Sequence, residues 1–309
     1  MLAVSPYPLF DLRNPSTALV LSTIRDLPIR LYSALTSDLV ASYPLINTTT
    51  EAYVTPHSLV CTNDGSRFIA GSDSLISTFD LSRPGQGPVA SFQTGRKKRN
   101  LDHLNPGTTM RGIVSTLAID PISNVLAAGT FNRNVALYDS GGHGECIGVF
   151  SVRGAESDKS IGGQGITQVL WSPCGRYLYI AERKSYGMIM YDIRKTGQLL
   201  GWLTGRQAYS NQRMSVDIMP AGEDGGYKIW AGGIDGSVGI WENPHLQQGP
   251  VGSSTKWRAH AIGDTVCGVS IHRGGGVVAT ASGHRQFEPL DQNEPSGRTV
   301  DSSLKLWQI

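Results

Sequence analysis

The sequence predicts an all-β fold, a WD-repeat β-propeller, and three observations predict it. The first is a repeated phrase, a short hydrophobic run closed by an aromatic residue and a polar or acidic one. It reads Ile29-Arg30-Leu31-Tyr32-Ser33, Ile76-Ser77-Thr78-Phe79-Asp80, Val135-Ala136-Leu137-Tyr138-Asp139, Met188-Ile189-Met190-Tyr191-Asp192, Val238-Gly239-Ile240-Trp241-Glu242 and Leu304-Lys305-Leu306-Trp307-Gln308. The second is its period: successive aromatics lie 47, 59, 53, 50 and 66 residues apart, blade lengths once loops of unequal size are allowed. The third is an earlier strand and turn at a similar offset before each phrase, as in Phe68 to Ser72, Val125 to Gly129 and Lys228 to Gly233. The 37 glycines among 309 residues suit a chain of hairpins, whose turns need positive φ.

Each repeat should hold four antiparallel strands, a to d from the inside outward. The first blade starts with Leu2 to Tyr7 as strand a. In the second, Ser58 to Cys61 is strand a, Asn63-Asp64-Gly65 the tight turn, Phe68 to Gly71 strand b, Leu75 to Phe79 strand c and Val89 to Phe92 strand d. The third runs from Val114-Ile119 to Cys146-Phe150, and the fourth from Ile166-Trp171 to Leu199-Leu203. The fifth covers Met214 to Trp257, and the last begins at Val266-Ile271. The phrase aromatics Tyr32, Phe79, Tyr138, Tyr191, Trp241 and Trp307 should pack between neighbouring sheets. Six blades are in view, and the last is incomplete because residue 309 directly follows a strand c. Either six blades close under strain or sequence upstream adds more. The expectation is the second: residues 1–309 form one WD-repeat propeller domain, N-terminally truncated, with seven blades in the full-length protein.

Composition narrows the chemistry. Cys61, Cys146, Cys174 and Cys267 show no C-x-x-C spacing, so neither a zinc site nor a disulfide framework is indicated. The sequence has no P-loop, no H-E-x-x-H, no G-x-S-x-G and no dinucleotide fingerprint, and Gly141-Gly142-His143-Gly144 reads as a c-to-d turn. The expectation is a protein with no catalytic residues, no cofactor, no metal and no small-molecule substrate. No apolar run reaches the about 18 residues of a membrane span, and no membrane partner is expected.

Net charge is only +2, so the distribution of charge matters more than its sum. In a propeller the b-to-c and d-to-a connections emerge at one end. That end collects Arg25, Arg111, Arg133, Arg153, Lys159, Arg183, Lys184, Arg206, Arg213, Lys256, Arg258 and His260, against fewer acids. Two long connections add to it: Gln93 to Arg111, with the run Arg96-Lys97-Lys98-Arg99, and His284 to Val300, with His284, Arg285 and Phe287. Arginines suit phosphate. Tyr186, Tyr209, Phe131 and Phe287 offer surfaces on which unpaired bases stack. The candidate RNA-binding residues are therefore Arg213, Arg285, His284, Phe287, Arg183, Arg96, Lys97, Lys98 and Arg99. The bland reading of such a basic run is solubility or nuclear import. Asp73, Asn132, Asp235 and Asp301 at b-to-c turns read as structural, and so does His260.

Several ordered phrases are more specific than the repeat. They are Pro28-Ile29-Arg30-Leu31-Tyr32, His57-Ser58-Leu59 with Asp64-Gly65-Ser66, Asn211-Gln212-Arg213, Gly268-Val269-Ser270-Ile271-His272, and Val278 to Phe287. In this order, over nearly the whole chain, the sequence resembles the telomerase Cajal body protein family. The resemblance implies a nuclear factor of the nucleoplasm and Cajal body, with small nuclear RNA (scaRNA or telomerase RNA) and RNP proteins as partners. The family's distant fungal relatives imply an alternative, a protein-only scaffold, for example in pre-mRNA splicing. This chain departs from the family in lacking a further upstream blade, in having His284 where glutamine is usual, and in Cys61-Thr62-Asn63 before Asp64-Gly65.

Overall fold

A computed structural model describes residues 2–95, 110–195, 197–221, 225–283 and 301–309. The chain divides into two compact units, Met1–Arg153 and Gly154–Ile309. Each holds three small sheets, five of them purely antiparallel, and together they are the blades of a WD-type β-propeller.

In the first unit, the first sheet is β1 (Ala3–Pro6), β2 (Leu19–Thr23), β3 (Ile29–Ser33) and β4 (Leu39–Tyr43). The second is β5 (Ser58–Cys61), β6 (Arg67–Ser72), β7 (Leu75–Asp80) and β8 (Ala90–Gln93). The third is β9 (Val114–Ile119), β10 (Leu126–Thr130), β11 (Asn134–Tyr138) and β12 (Cys146–Ser151). Strands follow one another in hairpin order, as the turn residues predict. Asp64 shows why the Asn63-Asp64-Gly65 turn forms. Its carboxylate accepts from the Thr62 and Ser66 hydroxyls and the Ser66 amide, while Gly65 takes φ +71°. The Ser66 and Thr62 bonds hold this exposed carboxyl down at a pKa of about 2.

Two apolar layers join these sheets. Between the first and second, Leu21, Ile29 and Tyr43 meet Phe68 and Phe79, which stack at 4.9 Å. Between the second and third, Ile76 and Phe92 meet Tyr138, with the Phe92 and Tyr138 rings 5.0 Å apart. Each buried aromatic contributes on the order of 1.5–3 kcal/mol.

The second unit opens with a short helix, α1 (Ser157–Ile161). Its first sheet is β13 (Ile166–Trp171), β14 (Tyr177–Glu182), β15 (Ser185–Asp192) and β16 (Gln198–Ala208). The next is β17 (Val216–Ala221), β18 (Gly226–Gly232), β19 (Ser237–Glu242) and β21 (Thr255–Arg258). The intervening β20 (Gly249–Val251) turns back and pairs parallel with β16, with Gly201 opposite Gly249. A Cβ on Gly201 would lie 2.3 Å from the Gly249 carbonyl, so the glycine permits this approach. The last sheet is β22 (Val266–Ile271), β23 (Val277–Ser282) and β24 (Leu304–Gln308), three strands among the described residues.

The phrase aromatics behave as expected. Phe79, Tyr138, Tyr191 and Trp241 are buried, while Tyr32 and Trp307 are half-buried. Trp307 meets Trp257 of the preceding sheet edge-on at 4.6 Å.

Candidate nucleic-acid interface

The second unit carries the two described candidates, Arg183 and Arg213. The b-to-c turn of its first sheet is Arg183-Lys184, with Lys184 at φ 50°. The d-to-a connection that leaves β16 spans residues 209–215. The Lys184 amide donates to the Ser210 carbonyl at 2.9 Å, which locks turn and connection together. Gln212 Nε2 donates to the Gly283 carbonyl at 3.2 Å, and the Ser215 hydroxyl donates to the Val269 carbonyl at 3.1 Å. The connection is thus tied to the sheet on either side of it.

A bulge shapes this end. Ser185 faces Ala208 and Gly187 faces Thr204, so two steps on β15 oppose four on β16. Gly205 absorbs part of the excess at φ +90°. Such irregularities re-aim side chains. Here the bulge places Tyr209 against Tyr186, with ring centroids 5.3 Å apart and planes 16° from parallel. Both rings are open to solvent, at 44 % exposure for Tyr186 and 51 % for Tyr209. Gly187 makes the arrangement possible, because a Cβ there would lie 1.9 Å from the Leu203 carbonyl.

The arginines differ from one another. Arg183 donates from Nε to the Gln164 carbonyl at 2.9 Å and is half-buried. Arg213 keeps solvent-accessible area, yet protein atoms crowd its guanidinium, and that desolvation lowers its pKa. It stays protonated at neutral pH. Arg206, counted above among the cations of the exposed end, is a correction: it is only 3 % exposed. Its Nε donates to the Gly232 carbonyl at 3.0 Å and its terminal nitrogen to the Met214 carbonyl at 3.1 Å. Arg133 and His260 are likewise buried, not displayed. Lys256 is bound to Asp235 at 2.7 Å.

Arg285, His284, Phe287, Arg96, Lys97, Lys98 and Arg99 lie outside the described residues. Of the nine candidates, the described ones are Arg183 and Arg213, both in the second unit and on the two connections that Lys184 and Ser210 join. Gly283, bonded by Gln212, immediately precedes His284 in the sequence. Sequence reasoning missed the buried role of Arg206, since an arginine in a polar stretch reads as exposed. It also missed Gln212 as a tie, for which only its place beside Arg213 gave a signal.

His260 completes the identification of the fold. Its Nε2 lies 2.8 Å from the Thr280 hydroxyl, and Trp307 Nε1 donates to that same hydroxyl at 2.9 Å. Its Nδ1 lies 3.2 Å from Asp301, which also accepts from Lys305 and Ser303. Lys305 first, then Ser303 and His260, hold the Asp301 carboxyl well below the usual carboxylate range. Asp235 caps its own turn in the same manner, accepting from Ser237. Among the described residues no group of His, Cys, Asp and Glu side chains could hold a metal ion, and the four cysteines are free.

A strand-repeat all-β chain with an aspartate, histidine, threonine and tryptophan joined in this order is a WD-repeat propeller. No protein-family model matches the chain. It is similar over nearly its whole length to proteins named Telomerase Cajal body protein 1. The one from Mesocricetus auratus is 30 % identical over 303 residues, covering 94 % of this chain and 50 % of that protein. The one from Homo sapiens is 28 % identical, covering 97 % and 52 %. The chain is also 32 % identical to Guanine nucleotide-binding protein negative regulator 1 of Schizosaccharomyces pombe, over 78 % of this chain and 56 % of that one. The resemblance drawn from the ordered phrases therefore holds. The chain spans about half the length of the curated relatives it matches.

Proposed function

We propose that this protein is a non-enzymatic RNA-binding WD-repeat propeller that assembles small nuclear or telomerase RNPs, or directs them to the nucleus and Cajal body. The carrying observation is the exposed, stacked Tyr186–Tyr209 pair beside Arg183 and Lys184. A solvent-facing aromatic surface next to cations suits a base and its phosphate together. The printed name of relatives matched over nearly the whole chain supports the same reading. The partners are small nuclear RNA, of the scaRNA or telomerase class, and RNP proteins. Arg213 and Arg183 would contact the strand, Arg285, His284 and Phe287 would read or stack on an unpaired base, and Arg96 to Arg99 would add phosphate attraction without sequence choice.

A second reading, a protein-only scaffold, is favoured by the name of the fission-yeast relative, a regulator of another protein. Salt separates the two. Fluorescence anisotropy with a single-stranded RNA should show affinity falling steeply with salt, and Arg213→Ala should cost roughly 1–3 kcal/mol. Neutralising Arg96 to Arg99 should weaken all RNAs about equally and flatten the slope. Unchanged RNA binding in both variants, with a protein partner lost, would favour the scaffold.

A further inference from the structure

The acid-free stretch that leaves the first sheet of the second unit holds one unusual group. From Gln198 to Val216 there are two arginines and no aspartate or glutamate. Arg213 reaches solvent, but Arg206 is buried inside the bulge. Buried charges in proteins are normally paired with an opposite charge. The ion pairs at Asp192, Asp235, Glu242 and Asp301 of this unit go to other bases, and none includes Arg206. Asp217, on the neighbouring β17, is spent on the amides of Ile218 and Ile271.

Arg206 therefore has carbonyl dipoles for company and, among the described residues, no counter-charge. Desolvation lowers its pKa to about 10, with no charged neighbour among the described residues to offset it. A neutral glutamine could serve a carbonyl, and an apolar side chain of similar volume often costs nothing at a buried charged position. A permanent charge at this depth is best explained by something that uses the charge. Its two bonds reach Gly232 and Met214, the second being the residue next to Arg213. Three residues after Arg206 comes Tyr209. The charge is thus bonded to the residue beside Arg213 and lies three positions along the chain from one of the stacked tyrosines.

We infer that Arg206 is a buried counter-charge for a bound anion: its guanidinium, without an acidic partner among the described residues, is neutralised by a phosphate of a strand held against the 208–214 connection. This rests on the RNA reading above. The carbonyl bonds fix where the charge lies, and the low-dielectric surroundings let its field reach the surface with little screening.

The test compares wild-type protein with Arg206→Gln and Arg206→Lys, using a fluorescein-labelled single-stranded oligouridylate across a series of salt concentrations. Arg206→Gln should lose affinity about fivefold with a shallower salt slope, whereas Arg206→Lys should stay within about twofold of wild type. Thermal unfolding without RNA, followed by tryptophan fluorescence, checks folding. All six tryptophans lie between Trp171 and Trp307, so the signal reports this unit. Wild-type affinity and slope in Arg206→Gln would overturn the inference while leaving the RNA reading intact. If Arg206→Gln does not fold, the lysine variant decides: retained affinity supports the inference, and a large loss with the charge still present overturns it. A wild-type protein that binds no oligouridylate sinks the RNA reading instead. Pyrophosphate that raises its unfolding temperature, but not that of Arg206→Gln, would then still support Arg206 as a counter-charge. No protection by either anion overturns both.

Discussion

Thr280→Val is the perturbation whose cost the structure sets most sharply. Thr280 is fully buried, and its hydroxyl serves two neighbours at once. In the tautomer whose Nδ1–H donates to Asp301, Nε2 accepts from Thr280, whose oxygen in turn accepts from Trp307 Nε1–H. Valine has nearly the same shape but leaves a buried imidazole nitrogen and an indole N–H without partners. The imidazole is fully enclosed, and Trp307 is half-buried, so water can reach the indole in part. At about 1–3 kcal/mol for each unmet group, with relief at the indole, the loss should be about 2–4 kcal/mol. Thr280→Ser keeps the hydroxyl and should cost about 1 kcal/mol for the methyl group. Urea unfolding followed by tryptophan fluorescence measures both. A valine variant within about 0.5 kcal/mol of wild type, or one more stable than the serine variant, would refute the network as a stabilising unit.

Other outcomes follow from the same geometry. Tyr186→Ala and Tyr209→Ala should each weaken single-stranded RNA binding by about 1–3 kcal/mol with little change in unfolding temperature, and equal affinity for all three proteins in anisotropy titrations would contradict the stacking role. Asp64 and Asp301 have depressed folded-state pKa values, so their stabilising contribution is present above the ordinary carboxylate range; that of Asp64 is lost as pH falls through about 2, and that of Asp301 at lower pH still. Asp64→Asn should flatten part of that acid limb in unfolding curves taken at successive pH values, and an unaltered limb would contradict the assignment. Leu304 and Leu306 are each 71 % exposed on β24, so Leu306→Lys should change stability by no more than about 0.5 kcal/mol while reducing self-association in light scattering. A clear loss of stability would mean that this leucine is covered.

Most of the fold could be read from the chain because its repeats are strongly patterned. Ser58 to Cys61, Val114 to Ile119 and Ile166 to Trp171 are strands with the expected limits, since alternation and turn residues agree there. The parallel β20 was not legible: Gly249-Pro250-Val251 is too short to show a period, and its pairing depends on a contact with distant Gly201. The five-residue helix α1 and the extension of β16 to Ala208 are set by the same kind of tertiary context. The site was legible as a list of exposed types, and Tyr186 and Tyr209 belonged to that list. Their stacking was not, because it follows from a bulge whose Gly187 and Gly205 signal only permissive backbone. Arg206 was misread for a related reason: residue type suggests surface, and only the fold reveals that the side chain turns inward.

On the proposed function, RNA lies against the end that carries Tyr186, Tyr209 and Arg213. Ultraviolet crosslinking of the protein in cells, with sequencing of the attached RNA and mass spectrometry of the crosslinked peptides, tests it most directly. The expected result is a restricted set of small nuclear RNAs, with crosslinks on the peptide carrying Tyr186 or Tyr209. RNA no more abundant than in a mock purification, or crosslinks confined to other surfaces, would contradict it.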